Sequence, residues 1–396
     1  MSGNAYAGAP FLQAVGVLMG QDAQASPRLA MACWDYSWLT RREGRHSEYR
    51  NLDRVFEELA ARGYNCLRLD PCPHLVAAGP NGMVAERFEV LPEGRDLRRG
   101  VRGPVQTYPR RVLADLLRKA RQYDIRLWLA SWYVPDTQAR RSFVRSPGDF
   151  IRVWAETLAF IRDEGFAGQI EAVDFCHEFP MAPWAHGAWR RIFGTHPANP
   201  LPLLRSWDSR VEERVQGYLL EVPRALRALF PDIRIGVSTC HSLEASLRRL
   251  DTSELDFLDT HMWLTDDPAF RIATGSLLPV AVPSPLENLR GRVAALLYRS
   301  RQEHWLGTLR DRLEAQSSFA RVRRLTPVLG EGYIRAVREQ ALDWGWVRSV
   351  SEQVIEEALK RDVRVINPAI YGRPHSPGFW EDQAWQSRIN DLIRSG

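Results

Sequence analysis

Two glutamates in this sequence stand where a pair of carboxyl groups could catalyse a reaction. Glu178 and Glu331 each follow an apolar run, and imidazole or aromatic residues lie beside them in the chain. Hydrolysis of a glycosidic bond needs such a pair, because one carboxyl group protonates the leaving oxygen while the other attacks carbon or activates water. Either glutamate alone could cap a helix or pair with one of the many arginines. The occurrence of both in equivalent positions favours catalysis.

Further polar and aromatic residues follow the apolar runs. Sugar rings pack their C–H faces on aromatic planes, and their hydroxyl groups need polar partners. The residues predicted on this basis to contact a substrate are Trp34, Asp35, Arg68, Asp70, Trp132, His177, His261, Trp263 and Tyr371. Among the 14 tryptophans, Trp132 and Trp263 are favoured as sugar contacts, whereas Trp128 and Trp154 are expected to fill the core.

The elements that must position these residues alternate along the chain. Short apolar runs predict strands at 29–34, 64–70, 125–132, 170–176, 233–240, 255–263, 327–330 and 363–370. Amphipathic runs predict a helix after each strand, for example at 51–62, 207–229 and 347–360. Eight such units in a row predict a parallel sheet that closes into a single (β/α)8 TIM barrel. No glycine-rich dinucleotide turn follows any predicted strand, which disfavours an open doubly wound sheet.

The barrel is predicted to be one domain over residues 1–396, with residues 1–28 as an N-terminal extension. Long connections follow the second, fourth and sixth predicted strands, and two of them cover 71–109 and 264–285. They leave from the carboxyl ends of the strands, where the active sites of barrels are built. We expect them to close the site into a pocket for a short saccharide or small glycoside, because a pocket encloses most of a small ligand.

Composition narrows the function classes. The charge is +5 and almost all of the basic residues are arginines, but no block of like charge occurs, so no nucleic-acid partner is predicted. Five cysteines without paired spacing indicate a reducing compartment. No apolar run reaches the ~18 residues of a membrane span, and no positive region precedes the apolar stretch near the start. These features predict a cytoplasmic protein with no membrane partner.

At these residues the sequence resembles glycoside hydrolase clan A, and within it the cellulase-like barrels related to glycoside hydrolase family 5. In that clan the acid/base glutamate ends strand four and the nucleophile ends strand seven. Glu178 in Val-Asp-Phe-Cys-His-Glu-Phe-Pro matches the first position, and Glu331 in Pro-Val-Leu-Gly-Glu-Gly-Tyr matches the second. Arg68 matches a strand-two arginine near the nucleophile, and His261 matches a strand-six histidine. The resemblance in topology runs from Leu29 to the C-terminus.

The resemblance implies a retaining β-glycoside hydrolase that needs no cofactor and acts on a carbohydrate substrate. Glu331 would attack the anomeric carbon, assisted by Arg68, which favours the ionised form of the glutamate. Glu178 would donate a proton to the leaving oxygen and later deprotonate water. His177 and His261 would position substrate hydroxyl groups. The two carboxyl groups are expected to lie about 5–5.5 Å apart.

Several positions depart from the pattern of those barrels. The asparagine that usually precedes the acid/base is His177, and this His-Glu pair is similar to the mannanases of glycoside hydrolase family 26. Ser131-Trp132 replaces the usual strand-three histidine. Trp263 replaces a strand-six tyrosine, whose hydroxyl group Tyr333 is expected to supply. The strand-eight tryptophan is absent, and Tyr371 is the nearest aromatic residue. These departures leave the sugar and its linkage open.

Two other functions stay open at the level of the sequence. Four histidines fall near the predicted mouth of the barrel, at His74, His177, His241 and His261. With the two glutamates they could bind a metal, as in sugar isomerase barrels. We predict no metal, because Arg68 beside Glu331 should repel a cation. A non-catalytic sugar-binding barrel is the other alternative, and the presence of both glutamates argues against it. The sequence does not indicate an oligomeric state.

Overall fold

The computed structural model describes residues 27–34, 36–43, 48–92, 103–199, 201–203, 206–273, 285–333, 344–368 and 380–396. Eight parallel strands form a barrel in the order of the sequence. They are β1 Leu29–Cys33, β2 Cys66–Leu69, β3 Arg126–Ala130, β4 Ile170–Asp174, β5 Arg234–Cys240, β6 Phe257–Trp263, β7 in two segments (Val328–Leu329 and Gly332–Tyr333) and β8 Val365–Ile366. Each strand pairs with its neighbour in the chain, and β1 also pairs with β8.

The barrel is closed through the two segments of β7. The first segment pairs with β8, through Val328 and Leu329. The second segment pairs with β6, where Gly332 lies opposite Met262. Between the two segments stand Gly330 and Glu331, so the predicted nucleophile lies at the break in the strand. The predicted (β/α)8 barrel is confirmed.

Helices connect the strands and pack around them. In chain order they are α1 Trp38–Glu43, α2 Leu52–Ala61, α3 Pro73–Val76, α4 Pro109–Gln122, α5 Pro147–Asp163, α6 His186–Phe193, α7 Ser209–Leu229, α8 His241–Leu247, α9 Pro268–Ala273, α10 Pro285–Ser300, α11 Gln302–Arg323, α12 Trp344–Lys360 and α13 Gln383–Ser395. None of these described helices is long and apolar enough to cross a membrane.

Local sequence explains why the helices begin where they do. The Asn51 side chain accepts a hydrogen bond from the backbone N–H of Arg54 at 3.1 Å and so caps α2. At the start of α5, Ser146 and Asp149 form a reciprocal capping box. The buried face of α2 consists of the four apolar residues that the spacing predicts, Leu52, Val55, Phe56 and Leu59.

The long connections contain more structure than the sequence predicts. After β2 the chain forms α3 and an antiparallel hairpin of Phe88–Val90 with Val105–Thr107. The hairpin joins the loop after β3, because the backbone N–H of Leu91 donates to the carbonyl of Pro135 at 2.8 Å. Before β7 the chain forms two helices, α10 and α11, on the two sides of Arg301. Of the connection after β6, residues 274–284 lie outside the described residues.

The interior of the barrel has two layers of different chemistry. The lower layer is an apolar cluster of Leu29, Met31, Cys66, Trp128, Ala172, Phe257, Val328 and Val365. The upper layer is polar and equally buried, and consists of Cys33, Arg68, Asp174, Ser238, Asp259, His261 and Glu331. Most of its members lie two residues beyond a lower-layer residue on the same strand, and side chains two residues apart share one face of a strand. The strands therefore carry the polar residues to their carboxyl ends.

Candidate active site

Glu178 and Glu331 both lie beside the same nitrogen of one histidine. Nδ1 of His261 is 3.0 Å from Oε1 of Glu178 and 3.8 Å from Oε2 of Glu331. Since both distances share the Nδ1 atom, these two carboxylate oxygens are at most about 7 Å apart, which allows the ~5–5.5 Å spacing of retaining glycosidases. The two predicted catalytic residues therefore share one site at the mouth of the barrel.

Glu331 is the more enclosed of the two glutamates. Its side chain is 2% exposed, and Oε1 accepts a hydrogen bond from Nη1 of Arg68 at 3.2 Å. Burial raises the pKa of Glu331 above its ordinary value, even though His261 and Arg68 lower it, because Glu178 and Asp259 add to the effect of burial. The sequence predicted that Arg68 favours the ionised form. That effect is present, but burial outweighs it.

Arg68 is the central cation of the upper layer and is fully buried. Its Nη2 lies 2.9 Å from Oδ2 of Asp174, 3.1 Å from Nδ1 of His177 and 3.2 Å from Oγ of Ser238, so its two hydrogens are shared among three acceptors. A guanidinium group has only donors and stays charged in proteins. An atom that forms a hydrogen bond with Arg68 must therefore act as the acceptor.

The contact with Arg68 fixes the tautomer of His177. Because Nδ1 accepts from Arg68, the proton of the neutral imidazole must be on Nε2. That nitrogen lies 3.8 Å from Oε2 of Glu178. The ring stacks on Trp132, with 4.2 Å between ring centroids and 26° between planes. His177 therefore presents a single N–H donor beside the acid/base candidate.

His261 is in the opposite state, although its ring is only 5.0 Å from that of His177. Burial by itself lowers the pKa of His261, but the charge of Glu331 and hydrogen bonds to Asp259 and Glu178 outweigh it and raise the pKa to about 10. Nδ1 lies 3.0 Å from Oε1 of Glu178, and Nε2 lies 3.5 Å from Oδ2 of Asp259 and 3.3 Å from Nη1 of Arg68, so the carboxylates hold two cationic groups side by side. The site thus holds one neutral and one charged histidine.

The backbone of Glu178 has an uncommon conformation. Its φ is +46°, in the left-handed region that residues with a Cβ seldom adopt. The backbone N–H donates to Oγ of Ser238 at 3.0 Å, and Nε1 of Trp184 lies within hydrogen-bonding distance of Oε2, at 3.4 Å. Such conformations persist where surrounding contacts hold them, and they cluster at functional sites.

Asp70 does not reach the site in the way the sequence predicted. It is fully buried, and its two carboxylate oxygens accept the backbone N–H groups of Cys72 at 2.7 Å and Trp132 at 2.9 Å. Burial raises the pKa of Asp70 to about 7, against the effect of these hydrogen bonds. Its carboxylate is used to hold Trp132 against His177, so we replace the predicted substrate contact with a supporting role.

Three predicted aromatic contacts are also part of the packing. Trp34 is 1% exposed and packs against Tyr49, with 4.6 Å between ring centroids. Trp263 and Tyr333 belong to the apolar cluster between the barrel and the helices α11 and α12. The hydroxyl group of Tyr333 donates to the carbonyl of Asn367 at 3.0 Å, so it does not supply the hydroxyl expected near the nucleophile. Asp35 and Tyr371 lie outside the described residues.

The four histidines near the predicted mouth do not all converge. Nε2 of His74 lies 2.9 Å from the carbonyl of Val134, and burial lowers its pKa to about 3. His241 pairs with Glu244 at 3.1 Å on α8. The two remaining histidines and Glu331 could offer three metal ligands within 4.8 Å of one another. A cation there would have to displace the proton of His261 and lie beside Arg68, so the charges disfavour a metal.

Sequence reasoning did not assign a role to Ser238, Asp259 or Trp184. Asp259 and His261 stand two residues apart on β6, which is a signal for a shared face that the sequence does contain. Asp259 also accepts the backbone N–H of Gly330 at 2.9 Å, beside the nucleophile candidate. Ser238 carries no such signal, because a serine in an apolar strand is common.

Comparison with known proteins places this arrangement in a family. The chain from residue 31 to residue 394 matches a family described as cellulase-like, with the fuller description sugar-binding cellulase-like. A solved structure from Parabacteroides distasonis ATCC 8503, itself provisionally described as a glycoside hydrolase, is 25% identical, covers 93% of this chain and 94% of its own, and has a TM-score of 0.80. No curated protein matches the chain by sequence.

More distant structures share the fold. The cellulose synthase subunit Z of Clostridioides difficile is 11% identical over 92% of this chain and 99% of its own, with a TM-score of 0.53. A hyperthermostable endocellulase is 14% identical over 92% of this chain and 93% of its own, with a TM-score of 0.51. The match to the family extends over nearly the whole barrel, and the chain therefore belongs to the sugar-binding cellulase-like family and has the barrel of a glycoside hydrolase.

Proposed function

We propose that this protein hydrolyses the β-glycosidic bond of a small saccharide or glycoside with retention of anomeric configuration. The observation that carries the proposal is the placement of Glu178 and Glu331 beside the same nitrogen of His261, with carboxylate oxygens at most about 7 Å apart. Two carboxyl groups at this spacing can act on one anomeric carbon. The family match and the resemblance to clan A barrels support the same reaction.

The two glutamates have different tasks in the proposed reaction. Glu331 attacks the anomeric carbon, and Arg68 stabilises the charge of this carboxylate at 3.2 Å. Glu178 transfers its proton to the leaving oxygen, so that the glycosidic bond breaks and a glycosyl ester forms on Glu331. Glu178 then accepts a proton from water, and the hydroxide equivalent cleaves the ester.

The two histidines differ in what they offer to a substrate. His177 presents Nε2–H, so it can donate to a sugar hydroxyl group but cannot accept from one. His261 is a cation whose charge favours the negative charge that Glu178 carries after it has lost its proton. Where clan A barrels usually have an asparagine before the acid/base, His177 thus offers a hydrogen-bond donor beside Glu178 but no acceptor.

A short substrate fits the enclosure of the site. The side chain of Glu331 is 2% exposed and that of Glu178 is 12% exposed. The hairpin after β2 and the loop after β3 are joined by a backbone hydrogen bond from Leu91 to Pro135. A ring that reaches Glu331 must therefore be surrounded by protein, which suits a small ligand.

A comparison of variants tests the proposal. We expect the wild type to release phenol from an aryl β-glycoside in a panel of β-linked sugars, and Glu331→Gln to lose roughly 10³-fold or more of this activity. Glu244→Gln is the matched control, because Glu244 is a buried glutamate that pairs with His241 and Arg248 outside the cluster. Proton NMR of the first product identifies the anomer. Equal activity of Glu331→Gln and wild type, or an inverted product, would contradict the proposal.

A non-catalytic sugar-binding function is the second candidate. The description of the matching family as sugar-binding cellulase-like favours it. In that case calorimetry would detect saccharide binding by the wild type without any turnover. Glu331→Gln, which is the isosteric neutral form, would then bind the sugar about as well as the wild type.

A further inference from the structure

One buried hydroxyl group connects the surroundings of both glutamates. Ser238 on β5 is fully buried. Its Oγ donates to Oδ2 of Asp174 at 2.6 Å and accepts from Nη2 of Arg68 at 3.2 Å and from the backbone N–H of Glu178 at 3.0 Å. A hydroxyl group has one donor and two acceptor sites. All three sites of this hydroxyl group are therefore used.

The first branch of this network leads to the nucleophile candidate. Asp174 accepts from both Ser238 and Arg68 through the same Oδ2 oxygen. Nη1 of Arg68 in turn donates to Glu331. The orientation of the guanidinium group, and with it the carboxylate of Glu331, thus depends on the Ser238–Asp174 pair.

The second branch leads to the acid/base candidate. Besides the hydroxyl contact to the amide of Glu178, the backbone carbonyl of Ser238 accepts the next amide, that of Phe179, at 2.9 Å. Glu178 lies between these contacts with a φ of +46°. The hydroxyl contact holds the amide of Glu178, its carbonyl accepts the backbone N–H of Met181 at 2.7 Å, and its carboxylate meets His261 and Trp184. Loss of the hydroxyl would free the residue to leave the left-handed region, while the carbonyl contact to Phe179 would keep the loop in place.

We propose that Ser238 is a positioning residue that directs the carboxyl group of Glu178 towards His261 and towards the leaving oxygen. This inference rests on the proposed hydrolysis for its kinetic consequence, but its structural content does not depend on it. The hydroxyl group does not touch the reacting atoms. It acts through the backbone of Glu178 and through the guanidinium group of Arg68.

A structural comparison of variants tests the positioning directly. In crystals of Ser238→Ala we expect Glu178 to lose its positive φ and its 3.0 Å contact with Nδ1 of His261. The control is Thr252→Val, because Thr252 is buried and its hydroxyl has no hydrogen-bond partner in the described part of the chain. That variant should leave Glu178 unchanged. An unchanged Glu178 in Ser238→Ala would overturn the inference, whether or not the protein hydrolyses glycosides.

A kinetic comparison separates positioning from general loss of structure. A dinitrophenyl leaving group departs without a proton, whereas a phenyl leaving group needs the acid. We expect Ser238→Ala to lose about 10–100-fold in kcat/KM on the phenyl β-glycoside with little change in kcat/KM on the dinitrophenyl β-glycoside, because kcat/KM reports the step that forms the glycosyl ester. Ser238→Cys, which keeps the volume but offers only a weak acceptor, should shift in the same direction if the alanine variant does not fold.

The outcomes distinguish the inference from the function on which it rests. Equal losses on both substrates would overturn the positioning role and leave the hydrolysis in place. Absence of turnover by the wild type on every β-glycoside tested would remove the proposed function, and the crystal comparison would then decide the inference alone.

Discussion

The two layers of the barrel interior lie on the same strands, but the lower layer is apolar and the upper layer is charged. On β2, β4 and β6 a step of two residues replaces an apolar side chain by a polar one, as from Cys66 to Arg68 and from Ala172 to Asp174. The lower layer excludes water and is packed by apolar contact alone. The upper layer is just as buried but holds four acids in contact with two cations, if Glu178 at its rim is included.

The difference shows how the barrel separates stability from chemistry. Burying an unpaired charge costs several kcal/mol, so each charge in the upper layer needs a partner. Arg68 contacts Asp174, Asp259 and Glu331, and His261 contacts Glu178 and Asp259. These pairings leave the two glutamates in one site, whereas the lower layer keeps the strands in register. Changes in the upper layer should therefore alter both stability and activity, and changes in the lower layer should alter stability alone.

The largest effect is expected when the upper layer loses its central cation. Arg68→Met leaves Asp174 and Glu331 buried without their partner, and we expect the free energy of unfolding at pH 7 to fall by about 3–5 kcal/mol. Part of this loss should return at pH 5, where buried carboxyl groups take up protons more easily. Denaturant titration followed by circular dichroism measures both values. The control Arg162→Met removes an exposed pair with Asp163 and should cost less than about 1 kcal/mol.

Truncation of a buried side chain in the lower layer should lower stability but leave the active site intact. Met31→Ala removes a fully buried side chain, and we expect a loss of about 2–5 kcal/mol in the free energy of unfolding. Activity per folded molecule should stay at the wild-type value, because Cys33 and the upper layer keep their strand geometry. A loss of kcat larger than the unfolded fraction explains would show that the two layers are coupled.

A smaller effect is expected at the boundary on β7. A Cβ at Gly330 would fall on the carboxylate of Asp259 and lie close to Arg68. Gly330→Ala should therefore cost about 1–3 kcal/mol of stability, as for other overpacked sites, and should also displace Glu331, so kcat should fall. Gly307→Ala is the control, because a Cβ at that position in α11 meets nothing within 4 Å. Equal behaviour of the two variants would contradict the close approach.

The most gradual effect is the dependence of the free energy of unfolding on pH that the titration of His261 produces. Its pKa is about 10 in the folded protein and about 6.5 in an unfolded chain, so the folded state binds the proton more tightly. The stabilisation is complete below about pH 6.5 and is lost as the pH rises towards 10, by no more than about 1.4 kcal/mol per pH unit. Asp259→Asn should lower the pKa of His261 and flatten this dependence. NMR titration of the His261 ring in both proteins measures the shift, and identical curves would refute the pairing.

The amino-acid sequence by itself determined the order of the elements and the ends of the strands. Periods of 2 and 3.6 residues are local properties, so all eight predicted strands and the helices between them are found within a few residues of their predicted bounds. Parallel strands end at one face of a barrel, and this rule was enough to predict that Glu178 and Glu331 share a site with Arg68, His177 and His261.

What the sequence could not supply is the direction of side chains at the ends of the strands. Trp34 follows Cys33, which faces the nucleophile candidate, so Trp34 faces the helices and packs on Tyr49 and Phe56. Asp70 and Tyr333 likewise satisfy backbone groups. Whether a residue at the end of a strand faces the barrel interior or the helices depends on the register of the neighbouring strands. No local sequence pattern determines that register.

The protonation states were decided by the tertiary structure alone. His177 follows β4 and His261 lies within β6; the first accepts from a guanidinium group, whereas the pKa of the second is raised by the carboxylates around it. The role of Ser238 has the same origin, because its three partners come from β2, β4 and the segment after β4. Electrostatic energies depend on distances between groups that are far apart in the chain, and only the closed barrel brings those groups within 4 Å.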